Sequence, residues 1–480
     1  MSSAHDFVIR PLSLNVDCFL LSSKDVRLKG FLDYSPLRGV VLTLSLKKNE
    51  HEQVTYESLD TLYGTCPLGS ITFLGYVSSS TKYDSDSDIY YFSIIYDFLV
   101  FGNYFYDMNN PRIVGVSLCF DYLDYWCGYS FAHSVSGLRE DKNSCLFKIS
   151  CKHPPIEPYD TKNYIMRFSH EYISQQSKDG YFVSPRSFIN IYHKQKFDIK
   201  DLLNNTIFAF ETLLSISTCK KIYLRSARII VHSDWKDRSF DTFQPICMKI
   251  IHYSENKDES DNGYFLRCMD VSSHFTDFID KWFHICKTYF NALQMYNETI
   301  YSESMYSHHV FLNYARVLEL IHRISYKGTY LENSIFKNIR EHIAGEIGKM
   351  LEGRTREVFK DKLMYLNEYT LEDRIVELLK AADVIVEEYI SNKDKLIKDI
   401  KNTRNYYTHF SKRLEGKALK GEDLNRINTV LRIIIDAIIF TMCGLDSNKF
   451  LECRRRTYDI INPLKHNMVC RYELLNKKIY

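Results

Sequence analysis

Arg404 and His409, in the segment DIKNTRNYYTHFSKR, are the residues of this 480-residue chain best suited to acid–base chemistry on a phosphodiester. RNA can be cut without a metal by few groups. A base takes the proton of the ribose 2′-hydroxyl, an acid protonates the departing 5′-oxygen, and a fixed cation stabilises charge growing on the phosphoryl oxygens. Imidazole titrates near neutrality and can move those protons; guanidinium stays charged and offers a planar fork that suits phosphate. On a helix, five residues advance about 7.5 Å and turn by about 140°. The two side chains therefore converge only by reaching sideways or where the helix breaks. A two-fold dimer would bring two such pairs together, one histidine serving as base and the other as acid.

Spacing alone does not single this pair out, because Arg and His recur at similar separations elsewhere, as at Arg316 and His322. Context does. Asn405 follows Arg404 directly and can fix its geometry by hydrogen bonding. Residues 392–420 hold nine Lys or Arg against Asp394, Asp399 and Glu415, a local net of +6 in a chain of net charge +2. Such a patch can bind phosphates. Tyr406 and Tyr407 between the pair offer faces for unstacked bases. Lys401, Tyr406, Lys412 and Arg413 are accordingly the expected RNA-binding residues. A solvated basic helix with buried tyrosines would have the same composition.

Other chemistries lack their residues. GEIGK at 345–349 has neither the spacing nor the Ser/Thr of a phosphate loop, and no HExxH or GxSxG segment occurs. Cys145, Cys151 and His153 lie close in sequence, but the nearest further cysteine, Cys127, is neither paired nor near, which disfavours structural zinc. No metal or cofactor is expected.

The whole chain must position these groups. Its length suits two or three domains, and 45% apolar with 25% charged residues is ordinary globular composition. The 36 Tyr and 30 Phe suit packing and interfaces more than base stacking. A net charge of +2 excludes a global polyanion-binding surface. Thirteen scattered cysteines and an N-terminus without a basic-then-apolar layout point to reduced thiols and a cytoplasmic protein. The longest apolar stretch, Ile433 to Leu445, is too short for a membrane span of about 20 residues and contains Asp436.

Short β-branched and aromatic runs fill the first half, among them RLKGFLDY, GVVLTLSL, GSITFLGYV, DIYYFSIIYDFLVFG and RIVGVSLCF. They read as strands of a sandwich-like or barrel-like sheet. One helix interrupts them, with Leu202, Leu203, Ile207, Phe210, Leu213 and Leu214 on one stripe, and a polar stretch covers 252–263. From about Phe275 the pattern turns to long amphipathic segments with few Gly or Pro, an all-α bundle. The expected organisation is α+β and multidomain, a β-rich domain over 1–275 and a helical domain over 276–480. Gly421 lies in the loop between the last two long helices, with Asp423 as the N-cap of the second.

The R-N-x-x-x-H pattern on a late helix of such a bundle resembles the HEPN ribonuclease motif. Independently, LKGFLDYSPLRGVVLTLSL, YESLDTLYGTCPLGSITFLGYV and RIVGVSLCFDYLDYWCGYSF resemble the N-terminal domain of ApeA-type anti-phage proteins, with Leu123, Trp126 and Gly128 in its Leu-x-x-Trp-x-Gly signature. FDIKDLLNNTIFAFETLLSIST follows the helix of that family, and ARVLELIHR, with Glu319, resembles the start of its HEPN bundle. One segment departs: the expected Gly-rich His-Phe stretch reads VFGNYFYDM, with Asn103 and Tyr104 in place of the histidine. The resemblance implies an abortive-infection protein, a sensor-like N-terminal domain joined to a metal-independent HEPN ribonuclease that works as a homodimer on host RNA, with tRNA a typical target. His409 would then transfer protons, Arg404 stabilise the phosphate and Asn405 position it, with a phage-derived trigger acting on the N-terminal domain. The alternative is a non-catalytic HEPN protein that binds RNA or a partner.

Overall fold

In the computed structural model, residues 10–461 are described apart from 21–22, 52–58, 103–111, 128–132, 140–144, 152–157, 178–179, 196, 236–237, 255–264, 303 and 391. The chain forms two compact units, Met1–Asp280 and Lys281–Tyr480.

The first unit begins with six antiparallel strands: β1 (Leu12–Leu20), β2 (Ser23–Ser35), β3 (Gly39–Leu46), β4 (Thr61–Cys66), β5 (Gly69–Asp84) and β6 (Ile89–Phe101). Each pairs with two neighbours in the order β1-β2-β3-β6-β5-β4, and β4 returns to β1, so the sheet closes into a barrel. Period-two patterning explains which faces turn inward. On β3, Val40, Leu42, Leu44 and Leu46 are buried while Thr43 and Ser45 point away. They meet Leu28, Leu32, Phe73, Ile94 and Tyr96 in the barrel core. On β5, Gly75 has φ +73° and a Cβ there would lie 2.9 Å from Asp97 Oδ2, so a side chain at this position would be strained and would displace Asp97.

A second antiparallel sheet continues from β6. Its strands are β7 (Ile113–Phe120), β10 (Tyr159–Asp160), β11 (Tyr164–Ser177), β12 (Gly180–His193), β13 (Leu224–Trp235) and β14 (Arg238–Met248), ordered β10-β11-β12-β7-β13-β14. β14 pairs with β6 through Ile246–Met248, and Tyr34 donates from its hydroxyl to the Met248 carbonyl at 3.1 Å, tying sheet to barrel. The hairpin of β8 (His133–Arg139) and β9 (Cys145–Cys151) stands apart from it.

Two short helices, α1 (Lys48–His51) and α2 (Leu123–Trp126), precede the long α3 (Ile199–Thr218), which is capped by the Asp198 carboxylate on the Asp201 amide. The expected α3 stripe is buried except for Ile207, which is half-exposed, and the burial is wider than a stripe: Ile199, Thr206 and every residue from Ala209 to Thr218 are buried, so the second half of the helix is enclosed on all sides. Leu123 and Trp126 are buried, with Trp126 6.2 Å from both Phe168 and Phe275, so these signature residues build the core. Gly128, Asn103 and Tyr104 lie outside the described residues, as do His153, the side chains of Cys145 and Cys151, and most of the polar stretch at 252–263.

The second unit starts within α4 (Phe275–Thr288) and continues through α5 (Phe290–Tyr301), α6 (Ser307–Ser325), α7 (Asn333–Met350), α8 (Gly353–Leu363), α9 (Leu371–Ala381), α10 (Asp383–Tyr389), α11 (Lys393–His409), α12 (Gly421–Met442) and α13 (Ser447–Ile461). α12 is its axis. Ile433 through Phe440 are buried on every side, which accounts for the unbroken apolar run, and Asp436 within it takes the Tyr296 hydroxyl and lies 3.7 Å from Arg454. Burial pushes the Asp436 carboxyl up, with Arg432 and Arg454 opposing. Among the described residues, no helix is long and apolar enough to cross a membrane.

Three sequence expectations change here. α12 begins at Gly421 with Lys420 at its cap, so Asp423 sits in the first turn, where its charge favours the positive helix end without capping it. A further helix, α13, follows, so the Arg404–His409 helix is third from last among the long ones. α7, amphipathic in sequence, buries no residue, and Ile335, Ile339 and Ile343 lie exposed along it.

Candidate active site

α11 carries the site because one of its faces is anchored. Leu396, Ile397, Ile400 and Thr403 recur at helical spacing and are buried, and the Asn392 side chain caps the start by accepting from the Lys395 amide at 2.8 Å. The helix ends at His409, because Phe410 adopts the left-handed conformation at φ 48°. The loop beyond is tied back to the helix: Leu419 donates its amide to Thr403 Oγ1 at 3.0 Å and accepts from the Tyr407 hydroxyl at 3.2 Å.

Arg404 leaves the edge of the buried face, its side chain 34% exposed. Its Nη1 donates to Asn405 Oδ1 at 3.2 Å, and its Nη2 lies 3.9 Å from Glu319 Oε2 on α6. Glu319 begins a chain of charges. Arg323 reaches Glu319 at 3.2 Å and Glu368 at 2.8 Å; Glu368 meets Arg374 at 3.4 Å; Arg374 donates to His322 Nδ1 at 3.0 Å; and His322 Nε2 lies 2.6 Å from Glu377. A guanidinium can only donate, so Nδ1 of His322 accepts and the ring proton sits on Nε2, facing the carboxylate. Burial, and Arg323 beside it, pull Arg374 below the ordinary guanidinium range, while Glu319 and Glu368 hold it up. The role of Glu319 against Arg404 is invisible in the sequence, because the two meet only when α6 packs on α11.

His409 is exposed, and among the described residues no side chain hydrogen-bonds to it. Asn405 therefore touches Arg404 directly, and His409 follows at the helix end with its imidazole open to solvent. Lys412 and Arg413 lie on the exposed 3₁₀ turn Lys412–Leu414, and with Lys417 they have no acidic partner among the described residues. Lys401 differs, its ammonium being paired with Glu372 on α9 at 2.5 Å. Tyr406 is half-buried, with Lys420 5.2 Å over its ring. Among the described residues, no group of three or more His, Cys, Asp or Glu is placed to hold a metal ion.

A family model described as ApeA N-terminal domain 1 matches residues 18–282, and one described as Apea-like HEPN matches residues 312–449. The chain belongs to the ApeA family. The first match takes in the barrel from the end of β1 onward and the attached sheet, and the second runs from α6 into α13, enclosing Glu319, Arg404 and His409. ApeA-like HEPN proteins are an anti-phage group, and HEPN domains are generally ribonucleases. No curated protein and no solved structure matches the chain.

Proposed function

We propose that this ApeA-family protein is an anti-phage endoribonuclease that cleaves RNA without a metal through Arg404, Asn405 and His409. The observation that carries the reading is the pairing of a restrained guanidinium with an unrestrained imidazole in one cationic segment. Arg404 is steered by Asn405 and Glu319, while His409 stands free at the end of the same helix. Imidazole removes the 2′-hydroxyl proton as that oxygen attacks phosphorus. The P–O5′ bond breaks, the 5′-oxygen takes a proton, and a 2′,3′-cyclic phosphate remains. Arg404 faces the equatorial oxygens, whose charge grows in the transition state.

One imidazole per chain serves one of the two proton transfers, and helix geometry turns Arg404 and His409 apart. The reading therefore includes a homodimer that joins two such sites. Lys412 and Arg413 would hold flanking phosphates, and Lys401 would join them on leaving Glu372. The substrate is structured RNA with exposed loops, tRNA first, in the cytoplasm, and the β-rich unit responds to a phage-derived trigger. His409→Ala tests the assignment: RNA cleavage, including in excess chelator, should fall roughly 10²–10⁴-fold with RNA binding kept. Undiminished cleavage and toxicity in that variant would remove the catalytic role, and full activity in a sedimenting monomer would remove the dimer.

A further inference from the structure

A line of aromatic rings crosses the end of α11. Tyr306 stacks on His308 at 5.8 Å and 17°, and His308 stacks on Tyr407 at 5.2 Å and 19°. Tyr407 meets Tyr406 edge-on at 5.0 Å, and Tyr406 meets Phe410 at 5.9 Å. The line thus joins the start of α6 to the residue directly after His409, and its two end rings, Tyr306 and Phe410, are 72% and 67% exposed.

Folding does not call for either end ring. Tyr306 occupies the N-cap of α6 and makes no side-chain cap, at a position where Ser, Thr, Asp or Asn would satisfy a free amide. Phe410 occupies the left-handed C-terminal position of α11 at φ 48°, where glycine or asparagine is the unstrained choice. Two helix ends forgo their favoured residues, and each places an aromatic side chain in water instead. The middle of the line is fixed by the Tyr407 hydroxyl on Leu419, and partial burial with His309 beside it lowers the His308 imidazole, which favours the uncharged ring. Lys412 and Arg413, which have no acidic partner among the described residues, supply cations for the backbone that a row of bases brings along, and Lys420, paired with Glu415 at 3.4 Å, lies over Tyr406.

We infer that Tyr306 and Phe410, braced by the inner rings His308, Tyr407 and Tyr406, are the platforms of a track on which unpaired nucleobases next to the scissile phosphate stack, so that the protein selects single-stranded RNA. Ring faces accept any base, so the track sets strandedness and leaves sequence open. The inference rests on the ribonuclease reading for its choice of RNA as occupant.

The test uses the full-length His409→Ala chain, which holds RNA uncut. Its affinity is measured for an unstructured single-stranded RNA, the same sequence as a duplex, and an abasic version. Single-stranded RNA should bind most tightly. Tyr306→Ser and Phe410→Asn, which restore favoured cap residues, should each weaken that binding by roughly tenfold, the scale of one lost base–aromatic stack. Neither should weaken abasic or duplex binding, and both should keep or raise the thermal midpoint. Unchanged single-strand affinity in both variants, an equal loss on the abasic strand, or no RNA binding by the full chain would each overturn the track. Cleavage by the chain with His409 is measured alongside. RNA bound through these rings yet never cut would sink the ribonuclease reading and leave the track standing, whereas cutting without any effect of the two variants would sink the track alone.

Discussion

In the β-rich unit, Arg225 and Arg228 each grip one carboxylate with two bonds, a closed pair; in the helical unit, Arg374 starts a chain of charges that reaches solvent. Arg225 grips Asp121 through two bonds of 2.6 Å, and Arg228 grips Glu171 through bonds of 2.5 and 2.9 Å while its guanidinium lies over the Phe188 ring at 4.1 Å. Both carboxylate oxygens are engaged in each pair, and Arg225 Nη1 also donates to the Ser254 carbonyl at 2.7 Å, so these guanidiniums are spent on the fold. From Arg374 outward through Glu368, Arg323 and Glu319, by contrast, each carboxylate is shared, and the last guanidinium, Arg404, is held at 3.9 Å with its side chain one-third exposed. A phosphate can replace so weak a partner at little cost, because half-exposed ion pairs are worth about 0–1 kcal/mol. The same residue type is thus a structural element in one unit and an available cation in the other, and the number of bonds it makes distinguishes the two.

That contrast breaks most visibly under substitution of the closed pair. Arg225→Ala strands the buried Asp121 carboxylate and should cost about 3–5 kcal/mol of stability in the first unit, read by denaturant unfolding. A loss under 1 kcal/mol would mean the closed pair is not structural. Arg404→Ala should do the opposite, changing stability by less than about 1 kcal/mol while RNA cleavage drops on the order of 10²–10³-fold, as when one oxyanion donor is lost. If Arg404→Ala unfolds the protein instead, the open chain is a structural device like the pairs. Glu319→Gln comes next. It keeps the shape and removes the charge that steers Arg404, so cleavage should fall about tenfold, in kcat more than in KM, with the thermal midpoint nearly unmoved.

How much of this was legible in the sequence follows from how local each feature is. Alternation on β3 and the stripe on α3 are set by residues two to four positions apart, and both were readable, Ile207 excepted. A barrel was one of the two arrangements those runs allowed, and the choice between them was not readable, because closure depends on β4 returning to β1 and on β5 lying along β6, pairings that no short run announces. The amphipathic α7 reads as a bundle helix, yet hydrophobic periodicity states only that a face favours burial, and here nothing among the described residues buries it. At the site, Arg404, Asn405 and His409 share one segment and could be picked out by type and context. Glu319 lies on another helix, and the ring line needs α6 beside α11, so their relation to the motif emerges only from packing. Phe410 illustrates the reverse: its sequence position is unremarkable, and its positive φ is visible only in the fold.

The smallest expected effect sharpens the contrast at its outer edge. Lys412 and Arg413 have no acidic partner among the described residues and sit on an exposed turn, so removing them disturbs no ion pair. If they bind phosphates, each releases about one condensed counterion on binding, and Lys412→Ala with Arg413→Ala should lower the slope of log affinity against log salt by about 2. Affinity at moderate salt should fall several-fold, cleavage at saturating RNA should barely change, and the thermal midpoint should stay where it is. Lys401 supplies the control, because its ammonium is already bound to Glu372. Lys401→Ala should reduce the slope less than either neighbour, unless RNA draws that lysine off its carboxylate. An equal reduction from Lys401 would show that the pairing with Glu372 opens on binding, and that the open chain of charges extends one residue further along α11 than the unbound geometry indicates.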